Sequence, residues 1–335
     1  MACPQSCADG SLGGLLSLGG LQPSLFCGSR FMKLFHTDLF VLPLPEGHRF
    51  PMQRYRLLRE RLEQSGLFAP EQMCVPPAAT DEQLAHVHTQ DWIARVSSGE
   101  LTRDETRRIG FPWSRQMAER SRRSTGATVA AARCALADGF AANLAGGTHH
   151  SFSDRGAGYC VFNDVAVAAR TMQQEDRIRT ALVIDGDVHQ GDGTAAIFQE
   201  DPTVTTFSLH ARKAFPARKQ TSNLDIPLEP LCTTAEYLQA LAAGLQWCAA
   251  QPLPDLVFFL AGADPYEGDT LGGLSVTQEG LHQRDQMVFE FCQQRDLPVV
   301  ITLAGGYAEQ IEDIVEIQFR TIVEARRRFL SRQER

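Results

Sequence analysis

The chain opens its first clear polar/apolar pattern at MKLFHTDLFVLPLP, residues 32–45, which predicts a strand and its turn. A charged amphipathic helix is expected over Arg54–Gln64, and another over Thr80–Val96, started by Thr80 and Asp81. Ser121–Ala137 is alanine-rich and helical in pattern. Short apolar, β-branched runs follow: Phe140–Leu144, Ala181–Ile184, Thr203–Phe207, Leu256–Leu260 and Pro298–Leu303. Helical stretches alternate with them, at Asn163–Gln174, Thr233–Ala250 and Gln278–Gln294, with a basic amphipathic helix from Ala308 to Arg332. Strands alternating with helices imply βαβ units and a parallel sheet covered on both faces. No shift in composition marks a second domain and no repeat is visible.

Residues 1–31 differ, with six glycines, few charges and no helical period. They read as a disordered extension, and Met32 is a candidate true start. A secretory signal needs a basic start before its apolar run, whereas the first basic residue here is Arg30.

Composition narrows the function classes. The 335 residues carry a formal charge of -8, which is no footprint for nucleic acid and gives no sign of an anionic membrane partner. No run approaches the roughly 18 apolar residues of a membrane helix. The nine cysteines have no repeating spacing and no CxxC pair, so they read as reduced thiols of a cytoplasmic protein rather than a disulfide frame or a structural zinc site.

The chemistry lies just after the predicted strands, where parallel sheets bind ligands. Asp185-Gly-Asp187-Val-His189-Gln-Gly-Asp192 follows one strand, Asp264 another, Gly305-Gly306-Tyr307 a third and His149-His150 a fourth. Alternation along an extended strand end puts Asp185, Asp187 and His189 on one face. Two carboxylates there repel, and a divalent cation relieves that repulsion; the competing reading is an Asp/Gly-rich turn with a solvated histidine. Asp264 adds a third ligand and leaves an open position on zinc, unless it is a helix cap. His149 and His150 need partners to set their tautomers, and Asp185 and Asp192 are the spare carboxylates; two surface histidines are the alternative. Tyr307 can donate to an oxyanion or merely pack.

Together GGTHHSFSDRGAGYCVFNDVAVAA, VIDGDVHQGDGTAAIF, FSLH, AGADPYEGD and LAGGY resemble the histone deacetylase family in residue type and order, from about Lys33 to the C-terminal helix. RIGFPWS, DVHQGDG and EGDTLGGLSVT look closest to its class IV branch and bacterial relatives. The resemblance implies a single-domain arginase/deacetylase-type α/β fold over 32–335, with a parallel sheet of about eight strands flanked by helices. It implies zinc, with Fe2+ as the alternative, on Asp187, His189 and Asp264. His150 matches the general base and His149 its neighbour; Asp185 and Asp192 match their partners, and Tyr307 the carbonyl-polarising residue. Gly158, Tyr159 and Phe215 match the walls of an acyl-lysine tunnel, with Leu271 at its rim. Asp185, Asp187, His189, Ser208 and Leu209 match a structural site for K+ or Na+, with Phe198 near a second. Arg49 matches an arginine of an internal exit channel. Gln190 stands where class I members have a second histidine, and no substrate-clamping aspartate is evident between Ser98 and Phe111. The implied substrates are acylated lysine in a protein or peptide, or another acylated amine such as an acetylpolyamine. Glu267 is a rim charge that would suit a cationic amine, or a solvated loop charge. A binuclear manganese ureohydrolase and a binding module with a decayed site are the other readings.

Overall fold

The computed structural model describes residues 32–333. The expectation for residues 1–31 lies outside them. Eight strands run in chain order: β1 (Lys33–Phe35), β2 (Met73–Cys74), β3 (Phe140–Asn143), β4 (Ala181–Asp185), β5 (Val204–Ala211), β6 (Leu224–Leu228), β7 (Leu256–Leu260) and β8 (Val299–Thr302). They form one sheet in the order β2-β1-β3-β8-β7-β4-β5-β6. Every pairing is parallel.

Alternate residues of the same strand serve opposite layers. Leu182 and Ile184 join one core, packed under α1 (Arg54–Gln64), α8 (Thr234–Ala249), α9 (Gln278–Gln294) and α10 (Ile311–Gln333). Ala181 and Val183 join the other, under α3 (Gln90–Ser98), α5 (Arg115–Asp138) and α6 (Asp164–Gln174). Both faces are therefore dry, which is why the strands read as unbroken apolar runs.

The expected helices at Arg54–Gln64 and Gln278–Gln294 and the strand Leu256–Leu260 match to the residue. The segment Thr80–Val96, expected to contain one helix, holds two: α2 (Asp81–Ala85) stops at its C-cap His86, and the Thr89 hydroxyl then accepts from the Trp92 N–H to start α3. The helix expected at Ser121 begins at Arg115, capped by the Ser114 hydroxyl on the Met117 N–H. Four strands and α-helices escape the pattern, β2, β6, α4 (Arg103–Ile109) and α7 (Asp192–Phe198), as does a 3-10 turn at Pro70–Gln72. α4 is short and almost wholly polar, and Pro227 in β6 disguises an edge strand, where proline is tolerated. Among the described residues no helix is long and apolar enough to cross a membrane.

β3, β8, β7 and β4 are consecutive neighbours at the middle of the sheet. The chain leaves β3 for β4 and later fills the gap between them with β7 and β8. Because all four are parallel, the four motif loops emerge at one rim.

Candidate active site

The loop after β4 is shaped by its own carboxylates. The Asp187 N–H donates to Asp185 Oδ1 at 3.1 Å, and the His189 N–H donates to Asp187 Oδ1 at 2.9 Å. These local turns end the strand at Asp185 and correct the expectation of a shared extended face: Asp185 points to His149, while Asp187 and His189 turn toward Asp264. His189 Nδ1 lies 3.0 Å from Asp187 Oδ1 and 3.2 Å from Asp264 Oδ2. Asp264 is not a helix cap; its Oδ1 accepts from the Val188 N–H at 2.9 Å, joining the β7 loop to the β4 loop.

Asp187, His189 and Asp264 thus present one ligand atom each, all within 4.8 Å of one another and all buried. Burial and the Asp187 charge push Asp264 up to about 7. Burial opposes a charge on His189, but its bond to Asp187 and the nearness of Asp264 push it up to about 10. Asp264 Oδ2 is buried without a hydrogen-bond partner. Two repelling carboxylates, an imidazole and an orphaned oxygen fit a divalent cation.

The paired histidines sit in a turn, so both reach inward. His149 Nδ1 meets Asp185 Oδ2 at 2.7 Å, and His150 Nδ1 meets Asp192 Oδ1 at 2.6 Å. Burial disfavours a charge on His149, but the Asp185 and Asp187 carboxylates outweigh it and push the imidazole up to about 9. Burial and then the charge on His149 bring His150 down to about 4, despite Asp192. Their surroundings therefore bias these adjacent rings, 4.2 Å apart between centroids, in opposite directions. Burial also pushes the Tyr307 phenol well above its ordinary value, so it stays a donor.

Gly158, Tyr159, Phe215 and Leu271 line the mouth beside His150, His189 and Tyr307. Phe215 stands edge-on to His150 at 4.8 Å. Gly158 has φ +53°, and a Cβ there would come within 2.6 Å of His150 Cδ2 and 3.0 Å of Phe215 Cε1. Only glycine keeps the passage open between those rings. Ser208 is paired in register with Asp185 and its hydroxyl meets His210 Nδ1, Leu209 follows in β5, and Phe198 is buried at the end of α7.

One residue is corrected and three are newly placed. Arg49 is exposed and does not line the cavity; Arg54 does, with Arg120, and its Nη1 and Nη2 donate to the Gly306 and Ala304 carbonyls at 2.9 and 2.7 Å. Asp164 holds the histidine loop, accepting from the Thr148 N–H at 2.7 Å and the Gly147 N–H at 3.1 Å. Asp269 accepts from the Tyr307 N–H at 2.6 Å and the Leu271 N–H at 2.8 Å. Asp164, an acid in the first turn of a helix directly after the mouth loop, carried a readable signal, and Asp269 closes the AGADPYEGD motif; Arg54 carried none.

The histone deacetylase domain family matches residues 48–322. An uncharacterised protein of Picosynechococcus sp. is 45% identical over 285 residues, 85% of this chain and 95% of its own. The acetoin utilization protein AcuC of Staphylococcus aureus is 29% identical over 300 residues, 83% of this chain and 77% of its own. The crystal structure of an HDAC homolog complexed with SAHA superposes with a TM-score of 0.78 at 25% identity, covering 88% of this chain and 83% of that one. With most of its length matched by the family's domain and its sheet shared with a solved homolog, this chain belongs to the histone deacetylase family, hydrolases of amide bonds.

Proposed function

We propose that residues 32–335 form a zinc-dependent deacylase that hydrolyses acetyl or longer acyl amides of lysine side chains, with Fe2+ as the alternative metal. What carries this reading is the meeting of the Asp187–His189–Asp264 group with two separate His–Asp pairs and a phenol at the inner end of one passage. A divalent cation held there supplies Lewis acidity toward the amide carbonyl and acidifies a bound water.

His150, neutral and oriented by Asp192, accepts the proton of the attacking water. His149, protonated against Asp185, offsets the negative charge that develops beside it. The Tyr307 hydroxyl donates to the amide oxygen as that oxygen gains charge. His150 then returns its proton to the departing amine, leaving a free amine and a carboxylic acid, which ionises by giving its proton to the amine or to solvent. Asp185, Asp187, His189, Ser208 and Leu209 are assigned to a structural K+ or Na+ site, with Phe198 by a second. Six free cysteines among the described residues support a cytoplasmic setting.

The test is a panel of acylated lysine peptides and acylated polyamines given to the zinc-loaded protein, ranked by kcat/KM. Chelator-sensitive release of carboxylate from lysine peptides is expected. Failure to hydrolyse any acyl-lysine would overturn the reading.

A further inference from the structure

Arginines line one side of the mouth of the passage, and a basic loop supplies its other wall, in a chain whose net charge is -8. Arg107 and Arg108, at the end of α4, line it, and no carboxylate does. Arg107 pairs with Asp104 at 2.9 Å. Glu105, the other acid of that helix, is spent on Arg95 and on capping Thr102. Arg108 is exposed, and its side chain has no partner among the described residues. Across the mouth runs Arg212-Lys-Ala-Phe215-Pro-Ala-Arg-Lys219, which carries Phe215 to the rim; Arg212 is paired with Glu229 at 2.6 Å. Within it Lys213 and Arg218 are exposed and likewise unpaired among the described residues.

This loop is fixed in place. Gln190, in the metal-site loop, accepts from the Gln220 N–H at 2.9 Å and donates to the Gln220 carbonyl at 2.7 Å. Lys219 Nζ closes the loop on itself through the Ala214 and Pro216 carbonyls, at 2.6 and 2.9 Å. Glu267, an acid expected near the rim, is a solvated charge that does not line the mouth.

We infer that Arg108 on one side and Lys213 and Arg218 on the other select acyl-lysines flanked by acidic residues. This rests on the deacylase reading above. Unpaired cations around a narrow entrance raise the local concentration of anionic substrate and repel cationic ones. The same field disfavours acylated polyamines.

The test uses three peptides that share one acyl-lysine and differ only in flanks: acidic, neutral or basic. On the parent protein, kcat/KM should favour the acidic over the basic peptide by at least about fivefold, shrinking toward unity at high salt. In a double variant, Arg108→Glu with Arg218→Glu, the acidic-to-basic ratio should invert; each protein serves as its own reference. Binding of labelled peptides to the Asp264→Ala variant, which does not turn over, should show the same order. If the neutral peptide is hydrolysed and the flanks matter by less than twofold, the inference falls and the deacylase reading stands. If no peptide is hydrolysed but binding still follows the acidic flanks, the deacylase reading falls alone. If neither occurs, both fall. An acylated polyamine turned over as well as the acidic peptide would also overturn the inference.

Discussion

The Gly305 N–H donates to Asp187 Oδ2 at 2.7 Å, so the loop after β8 reaches across β7 to hold a candidate ligand of the β4 loop. The approach leaves no room for a side chain: a Cβ on Gly305 would lie 1.9 Å from Asp264 Oδ2 and 2.7 Å from Asp187 Oδ2. The obstacle is contact rather than backbone conformation. Gly305→Ala should therefore displace both carboxylates and lose metal. Metal content per chain after dialysis checks it; full retention of zinc would refute the account.

Asp264→Ala should lose metal and activity together, because it removes one of three ligands and leaves Asp187 and His189 as a weak pair. Elemental analysis beside a deacylation assay reads both. A fully metallated, active variant would remove Asp264 from the ligand group.

Tyr307→Phe should keep its metal and lose roughly 100- to 1,000-fold in kcat, the usual cost of one oxyanion donor. Its backbone N–H still bonds Asp269, so the loop should hold its place. Activity within threefold of the parent would end the role given to the hydroxyl.

Arg284 joins two ligand loops from below. Wholly buried, its Nη1 donates to the Gly262 carbonyl at 2.5 Å and the Gly186 carbonyl at 3.3 Å, while Nε meets Asp285 at 2.9 Å. Arg284→Met leaves Asp285 buried with an uncompensated charge and should cost roughly 3–5 kcal/mol of stability. Urea unfolding of the metal-free parent and variant measures it. A loss below about 1 kcal/mol would show that the pair is not what holds those loops.

Several elements and most of the chemistry were legible before the fold was known. β7 and α9 were bounded correctly because their patterns are long, apolar and flanked by breakers. α4 and β2 were not, since a polar seven-residue helix and a two-residue strand carry no period of their own. The four motif loops were expected at one rim, and their strands are parallel central neighbours. The strand-alternation argument for Asp185, Asp187 and His189 failed because local carboxylate-to-backbone bonds ended the strand first.

By itself, then, the sequence determined the residue types at the rim and the parallel architecture, because periodicity and turn chemistry are local. Only the tertiary structure decided which of two neighbouring histidines is pushed toward its neutral form, that Arg54 rather than Arg49 reaches the cavity, and that Gly305 must lack a side chain. Those depend on contacts between residues from 36 to 252 positions apart in the chain, and on how deeply burial weights each charge. No local pattern of polar and apolar residues encodes either.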